Sequence, residues 1–290
     1  MSTTMREGRH TPRRPSGLRL RSLGLDVLAT LLVGIFIFPI IWLYLTALKP
    51  SGDMFSGPFA IIPREITFDN FGRIWGAVGF QIAFRNSLLV AAASSLIVTL
   101  AGLGAAYSLS RFQYRLRPVF SGAILAVQML PGIVIVVPLI LILRQFGLTD
   151  SLRGLTIVYL LLGLPIAVWM LKGFMDEIPP ELDEAATLDG AAPWQVLVQV
   201  IMPLMTPATV AVGAFAFLLA WGEYLFALAL LTSTESRTLP LALQAAFGQF
   251  TIDWGMLTAG GVIISLPPAI LFLFFQRYLV SGLTAGGVKG

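Results

Sequence analysis

Cysteine is absent from the 290 residues, so disulfides and thiolate metal sites are excluded. Histidine occurs once, as His10 among the arginines near the start, which leaves none for a catalytic or metal centre in the body of the chain. Charged residues are scarce at 12%, roughly half the fraction of an ordinary soluble domain. A G-x-x-x-x-G-K-[ST] phosphate loop is missing too, so this polypeptide does not by itself bind and hydrolyse ATP in the P-loop manner.

What the chain does have is apolar residues, 57% of the total, gathered into long runs. Crossing the hydrocarbon core of a bilayer takes about 20 of them in succession. Residues 27–48, 86–110, 118–143, 154–171 and 254–276 carry no charge, and 207–231 carries one, Glu223. Six transmembrane helices are therefore expected, the fourth being the shortest, with 18 uncharged residues and a central Pro165. The first run has 22 residues against about 7–15 in a signal-peptide core, and is read as a retained span. Alternating the loops puts 12 Lys/Arg on the side of the N-terminal tail, 109–117, 172–206 and 277–290, and 7 on the other. The positive-inside rule then places both termini and the 172–206 loop in the cytoplasm. Six basic residues (Arg6, Arg9, Arg13, Arg14, Arg19, Arg21) crowd the tail, so the net charge of +4 is an orientation signal and not a nucleic-acid footprint.

Prolines fall inside four of the apolar runs, at Pro39, Pro131 and Pro138, Pro165, and Pro267 with Pro268. Each removes a backbone donor, which yields either a packing kink or a moving element where neighbours satisfy the freed carbonyl. Gly102, Gly104, Gly260 and Gly261 suit close helix packing. Glu223, in W-G-E-Y, is a functional candidate as an acid within a span, or else reaches interfacial water at the outer end of its helix. Its neighbours Trp221 and Tyr224 either line a pathway or anchor at the interface.

The polar loop 172–206 separates two apolar runs. Pro179 and Pro180 suit a helix start, Glu181, Asp183 and Glu184 complement the dipole of its first turn, and Ala185, Ala186 and Leu188 continue it. Gly190 is placed to end it in a left-handed cap. A second short helix follows, with Trp194, Leu197, Val198 and Ile201 on one face, until Pro203 breaks it. The loop reads either as a solvated hairpin or, given small Ala185 and Ala186 beside a glycine, as a knob that docks on another surface.

The run E-A-A-T-L-D-G-A-A-P-W, Glu184 to Trp194, followed by I-M-P-L, resembles the cytoplasmic EAA loop of bacterial ABC importer permeases. Asp189 before the glycine is typical of the carbohydrate-uptake branch, and Met202 departs mildly from the usual leucine. Leu48-Lys49-Pro50, Asn86-Ser87, A-A-Y-S-L-S-R-F (105–112), Leu130-Pro131-Gly132 and the C-terminal G-L-T-A-G-G-V-K-G are similar to the MalG-type permease, so the resemblance covers nearly the whole chain beyond the tail. It implies an all-α polytopic membrane protein with the MetI-like ABC importer permease fold. A basic tail, 1–26, would precede a six-helix domain, 27–290, in a bacterial inner membrane.

In that family the loop carrying Glu184, Ala185, Ala186, Asp189, Gly190 and Pro203 couples to the ATP-hydrolysing subunit. The tail Gly286, Gly287, Val288, Lys289 and Gly290 would contact the same subunit. Phe247, Gln249, Phe250 and Trp254 would face an extracytoplasmic solute-binding protein. The resemblance further implies a second related permease chain, an ABC ATPase dimer holding ATP and Mg, and a carbohydrate substrate, with no cofactor or metal on this chain. Asparagine is usual in the family where Gly222 stands. Three other readings remain: an ABC importer of a non-sugar solute; an ion-coupled secondary transporter, which should need paired intramembrane charges and finds only Glu223; and an intramembrane enzyme, whose Ser/Lys option rests on Lys49 and Lys172 at opposite membrane edges.

Overall fold

The computed structural model describes residues 16–54, 61–246 and 252–285, with side chains described over 24–54, 61–244 and 252–276. Among the described residues the α-helices are α1 (Ser16–Ala47), α2 (Asp69–Trp75), α3 (Phe80–Arg111), α4 (Arg117–Gln128), α5 (Gly132–Gln145), α6 (Leu152–Asp176), α7 (Glu181–Leu188), α8 (Pro193–Gln195), α9 (Met202–Leu204), α10 (Thr206–Gly222), α11 (Leu225–Leu230), α12 (Leu239–Ala242) and α13 (Trp254–Ala285). Among the described residues four helices, α1, α3, α6 and α13, are long and apolar enough to cross a membrane, and two bent pairs bring the total to as many as six if each pair is one span.

The centre of the molecule is α3 packed along α6. The two helices approach closely because glycines face side chains in both directions. A Cβ on Gly102 of α3 would lie 3.2 Å from Ala167 and 3.3 Å from Leu171, and one on Gly163 of α6 would lie 3.2 Å from Val98. With no hydrophobic drive between helices in lipid, such small-residue contacts supply the dispersion that holds a bundle together. Gly104 faces open space, so of the two glycines in this span only Gly102 serves packing. Behind this pair α10 lies on α3, and α13 lies between α10 and α1, where Gly261 meets Leu43. The shortest expected span, the fourth, is a full helix of 25 residues with Pro165 inside it, and half of its most apolar stretch is buried. None of the corresponding stretch of α1 is buried.

Two spans expected as single helices are broken. The run 118–143 is split into α4 and α5 by a 105° bend at Met129–Pro131. Proline there removes a donor and forces the preceding residue out of the helical region, and Pro131 itself is extended with ψ 128°. Pro39, Pro138, Pro165, Pro267 and Pro268 stay inside continuous helices. The run 207–231 is also not one helix: α10 ends at Gly222, Glu223 is extended with ψ 131°, and α11 begins at Leu225.

At the end of the bundle away from the 172–206 loop, two polar corners fix the turns. Asn70 is 1% exposed and donates from Nδ2 to the carbonyls of Ala47 (3.0 Å) and Lys49 (2.7 Å), closing the C-terminus of α1. Arg73 pairs with Asp253, the residue before α13, and donates to Ser51 Oγ at 2.9 Å. A Cβ on Gly255 would overlap the Asn70 amide, so that position holds glycine by close approach. In the second corner Asp150 accepts from the Thr232 amide (2.9 Å), the Ser233 amide (3.0 Å) and the hydroxyls of Ser233 and Ser236. Asn86 Nδ2 donates to the carbonyls of Glu235 (2.7 Å) and Arg237 (3.0 Å), and Ser87 Oγ accepts from the Leu239 amide at 2.7 Å. Burial raises the Asp150 pKa, but the hydrogen bonds from Ser236, Ser233 and Thr232 outweigh it and hold the carboxyl well below the usual carboxylate range.

Asn70→Ala removes the buried amide that donates to the Ala47 and Lys49 carbonyls and is expected to destabilise the protein by about 1–3 kcal/mol; an unchanged thermal midpoint in detergent would discard the corner as a structural tie. Because the folded pKa of Asp150 is depressed, its contribution is complete above the unfolded value of about 3.9 and fades as pH falls below it. The midpoint difference between wild type and Asp150→Asn should therefore be widest near neutral pH and narrow below about pH 4.

Candidate functional site

The polar loop folds largely as its residues dictate. The carbonyl of Pro180 accepts from the amides of Asp183 (3.0 Å) and Glu184 (3.1 Å), and α7 runs through Glu181–Leu188 with three acids in its first turn. Gly190 has φ +90°, and the Ala191 amide returns to the carbonyl of Ala186 at 3.0 Å, closing the helix end. Open space surrounds the Gly190 α-carbon, so the requirement for glycine is backbone conformation alone. Gln195 Oε1 then accepts from the Ala192 amide at 2.7 Å and starts the second segment.

That second segment departs from the expected face. Val196–Ile201 is π-helical, and an 83° bend separates Pro193–Leu204 from α10. The wider turn brings residues five apart onto one side, so Val196 and Ile201 are buried together while Trp194 and Val198, expected to share a face with Ile201, are exposed. Pro203 is exposed beside the bend.

One side of the loop is anchored. Ala186, Ala191, Leu197 and Met202 pack on a core formed by Tyr107, Leu171, Met175, Val196, Ile201 and Met205. The other side is open: Glu181, Leu182, Glu184, Ala185, Leu188, Asp189, Trp194 and Leu204 are exposed, Leu188 at 89%. No lysine or arginine occurs between Gly173 and Thr206, so this open side is acidic and apolar. Of the two small residues expected at a docking face, Ala185 is on the open side and Ala186 on the anchored one.

Polar contacts tie the same loop to the end of α3. Arg111 Nη2 donates to the Ile178 carbonyl at 2.9 Å, and Arg111 Nε lies 2.8 Å from an Asp183 carboxylate oxygen. The N–H is not aligned on that oxygen, so the attraction is one of charge. Next to it Ser110 Oγ donates to Asp176 Oδ1 at 2.6 Å, and Lys172 pairs with the same carboxylate.

The second candidate region is the break after α10. Glu223 Oε1 accepts from the Phe226 amide (2.9 Å), and Oε2 accepts from the Ala227 amide (3.1 Å) and the Tyr159 hydroxyl (3.0 Å). The carboxylate thus replaces the helical partners lost at the break. A mostly apolar cavity of about 560 Å³ opens beside it, lined by Gln128, Gly132, Pro138, Leu162, Glu223 and Phe226 among others. The Phe226 ring is 3.6 Å from where a Gly132 Cβ would stand, so the two broken spans meet at their breaks. Trp221 is buried, stacked on Phe217 at 5.7 Å, and donates to the Ile264 carbonyl at 3.0 Å. Tyr224 is 41% exposed, its hydroxyl accepting from Gln244 at 2.9 Å.

Trp254 is 43% exposed at the start of α13. Phe247, Gln249 and Phe250, and the tail Gly286, Gly287, Val288, Lys289 and Gly290, lie outside the described residues. Sequence reasoning did not find Tyr159 as the partner of Glu223, and it counted Arg111 only as one of the basic residues in 109–117 that set orientation. Nothing local links positions so far apart in the chain.

Glu223→Ala strips the acceptor from two amides and a hydroxyl and should destabilise by at least about 2 kcal/mol, whereas Glu223→Gln keeps one oxygen and should cost less. Thermal unfolding of the two variants in detergent separates these outcomes, and equal losses would remove the capping role.

The geometry has counterparts among known proteins. A family model described as binding-protein-dependent transport system inner membrane component matches residues 98–285. The trehalose transport system permease protein SugB of Mycobacterium tuberculosis (strain CDC 1551 / Oshkosh) is 37% identical over 266 residues, covering 91% of this chain and 96% of its own. The diacetylchitobiose uptake system permease protein DasC of Streptomyces coelicolor is 36% identical over 268 residues, covering 91% and 96%. Among solved structures, a chain of a bacterial ABC transporter involved in the import of the acidic polysaccharide alginate shares the fold with a TM-score of 0.79 at 22% identity, over 92% of this chain and 99% of that one. With its bundle of membrane-crossing helices and an anchored polar loop at one end, the chain belongs to the inner-membrane permease components of binding-protein-dependent ABC importers.

Proposed function

We propose that this permease carries a carbohydrate, in the class of a sugar, an oligosaccharide or a related polyol or glycerophosphate. It forms half of the translocation pathway with a second, related permease chain, and an ABC ATPase dimer drives it. The relatives named for trehalose and diacetylchitobiose support the substrate class. The observation that carries the energetic reading is the loop 172–206: one side is built into the bundle, and the other presents Glu184, Ala185, Leu188 and Asp189, which no described residue covers. A surface with basic and apolar groups on a nucleotide-hydrolysing partner fits such a face.

In this reading both termini and the loop are cytoplasmic. A loaded binding protein docks at the opposite end, near Trp254 and the segment holding Phe247, Gln249 and Phe250. Closure of the ATPases moves α7, and the broken spans α4/α5 and α10/α11 rearrange around the cavity beside Glu223. Trp221 and Tyr224, the other pathway candidates, flank the Glu223 break in the chain without lining that cavity. The tail Gly286–Gly290 adds a second contact to the ATPase. The chemistry of ATP hydrolysis belongs wholly to the partner.

Glu184→Lys and Gly190→Pro should abolish uptake and substrate-stimulated ATP hydrolysis in the assembled transporter while leaving membrane insertion intact. The first reverses the charge of the open face; the second demands φ near −65° where the chain holds +90°. Survival of both uptake and stimulation in these variants would sink the coupling assignment. Uptake that persists when the ion gradient is dissipated at constant ATP excludes an ion-coupled transporter.

A further inference from the structure

The open face of α7 explains how force could enter the permease, but not which helices receive it. By sequence, α7 is attached to α6 through Glu177–Pro180. The polar contacts point to a different helix. Among the side chains of the last turn of α3, Ser110 holds Asp176 and Arg111 holds both the Ile178 carbonyl and the Asp183 carboxylate, so the end of α3 touches the end of α6, the connector and α7 in turn.

The Arg111 and Asp183 side chains are only 11% and 15% exposed, which sets this pair apart from a screened surface bridge. Both Asp183 oxygens are shielded from water; the Tyr107 hydroxyl lies close to the same carboxylate, and Arg111 supplies the opposite charge that offsets its burial. Guanidinium is suited to this task because it can serve a carbonyl and a carboxylate from different nitrogens of one rigid plane. A few residues further into the bundle, Gly102 brings α3 against α6.

We infer that Arg111 is a positioning residue that clamps the coupling helix α7 to the end of α3, so that α7, α3 and α6 move as one lever during transport. The inference rests on the coupling role proposed for the loop. It assigns Arg111 a task that its count as one more cytoplasmic basic residue does not require. Arg115, exposed four residues on, has no such task.

The test uses the assembled transporter with its ATPase and binding protein, the latter as purified from cells, and reads basal and binding-protein-stimulated ATP hydrolysis separately. Arg111→Gln should assemble and retain basal hydrolysis but lose stimulation, Arg111→Lys should restore part of it, and Arg115→Gln should leave it unchanged. Because the chain has no cysteine, Arg111→Cys with Asp183→Cys gives it two thiols and no others. Bridging them with a short bismaleimide should restore the stimulation that the unbridged double variant lacks. Retained stimulation in Arg111→Gln overturns the clamp, and so does a bridge that fails to restore it, since the two elements would then have to part during the cycle. Should Arg111→Gln not assemble, the bridged and unbridged double variants decide the matter alone. Glu184→Lys, run in parallel, keeps the two readings distinct: if it uncouples while Arg111→Gln does not, the coupling surface stands and the clamp falls; if neither uncouples, both fall.

Discussion

The close approach of α3 and α6 is the contact on which the rest of the structure depends. Gly102 and Gly163 let each backbone settle against side chains of the other helix, and in lipid, where burying apolar surface gains little, such dispersion is the main cohesive force available. Everything that bears on function hangs from the ends of this pair. One end carries Ser110, Arg111 and Asp176, which hold the polar loop. The other carries Asn86 and Ser87, which hold the segment running toward α12.

A second constraint is the cost of irregular backbone at membrane depth. Unpaired amides are expensive in hydrocarbon, so a span can break only where protein groups replace the lost partners. Glu223 does this at the break between α10 and α11, with Tyr159 fixing the carboxylate from α6. The acid that the sequence leaves open between a functional residue and an interfacial one is therefore held by three donors of the chain itself. Its presence in the cavity wall and its capping of α11 are compatible, because the same geometry that satisfies the amides sets the shape of the opening beside Phe226 and Gly132.

In the proposed mechanism the permease acts as a lever with a rigid handle and a jointed blade. The handle is α7, tied down by Ala186 within a core and by Arg111 through charge. The joints are the breaks at Met129–Pro131 and Glu223–Tyr224, which meet each other. The corners built on Asn70 and Asp150 tie the turns at the far end.

The all-helical membrane class, the positions of the four unbroken spans, the bounds of α7 and the left-handed glycine at 190 were all determined by the sequence alone. Each depends on residues within a turn or two: a charge-free run long enough for the bilayer, acids in a first turn, a glycine after the last apolar position. The family was legible for the same reason, since its motifs are local. What only the tertiary structure decided is which prolines break a helix and which do not, for Pro131 does and Pro138 and Pro165 do not. It also decided that a span without an internal proline breaks at Glu223, that the segment after Trp194 turns as a π-helix, and that Arg111 meets Asp183. These outcomes depend on what lies across the bundle, on Tyr159, on the core under Val196 and Ile201, and on the carboxylate brought to the end of α3. No window along the chain contains those partners together.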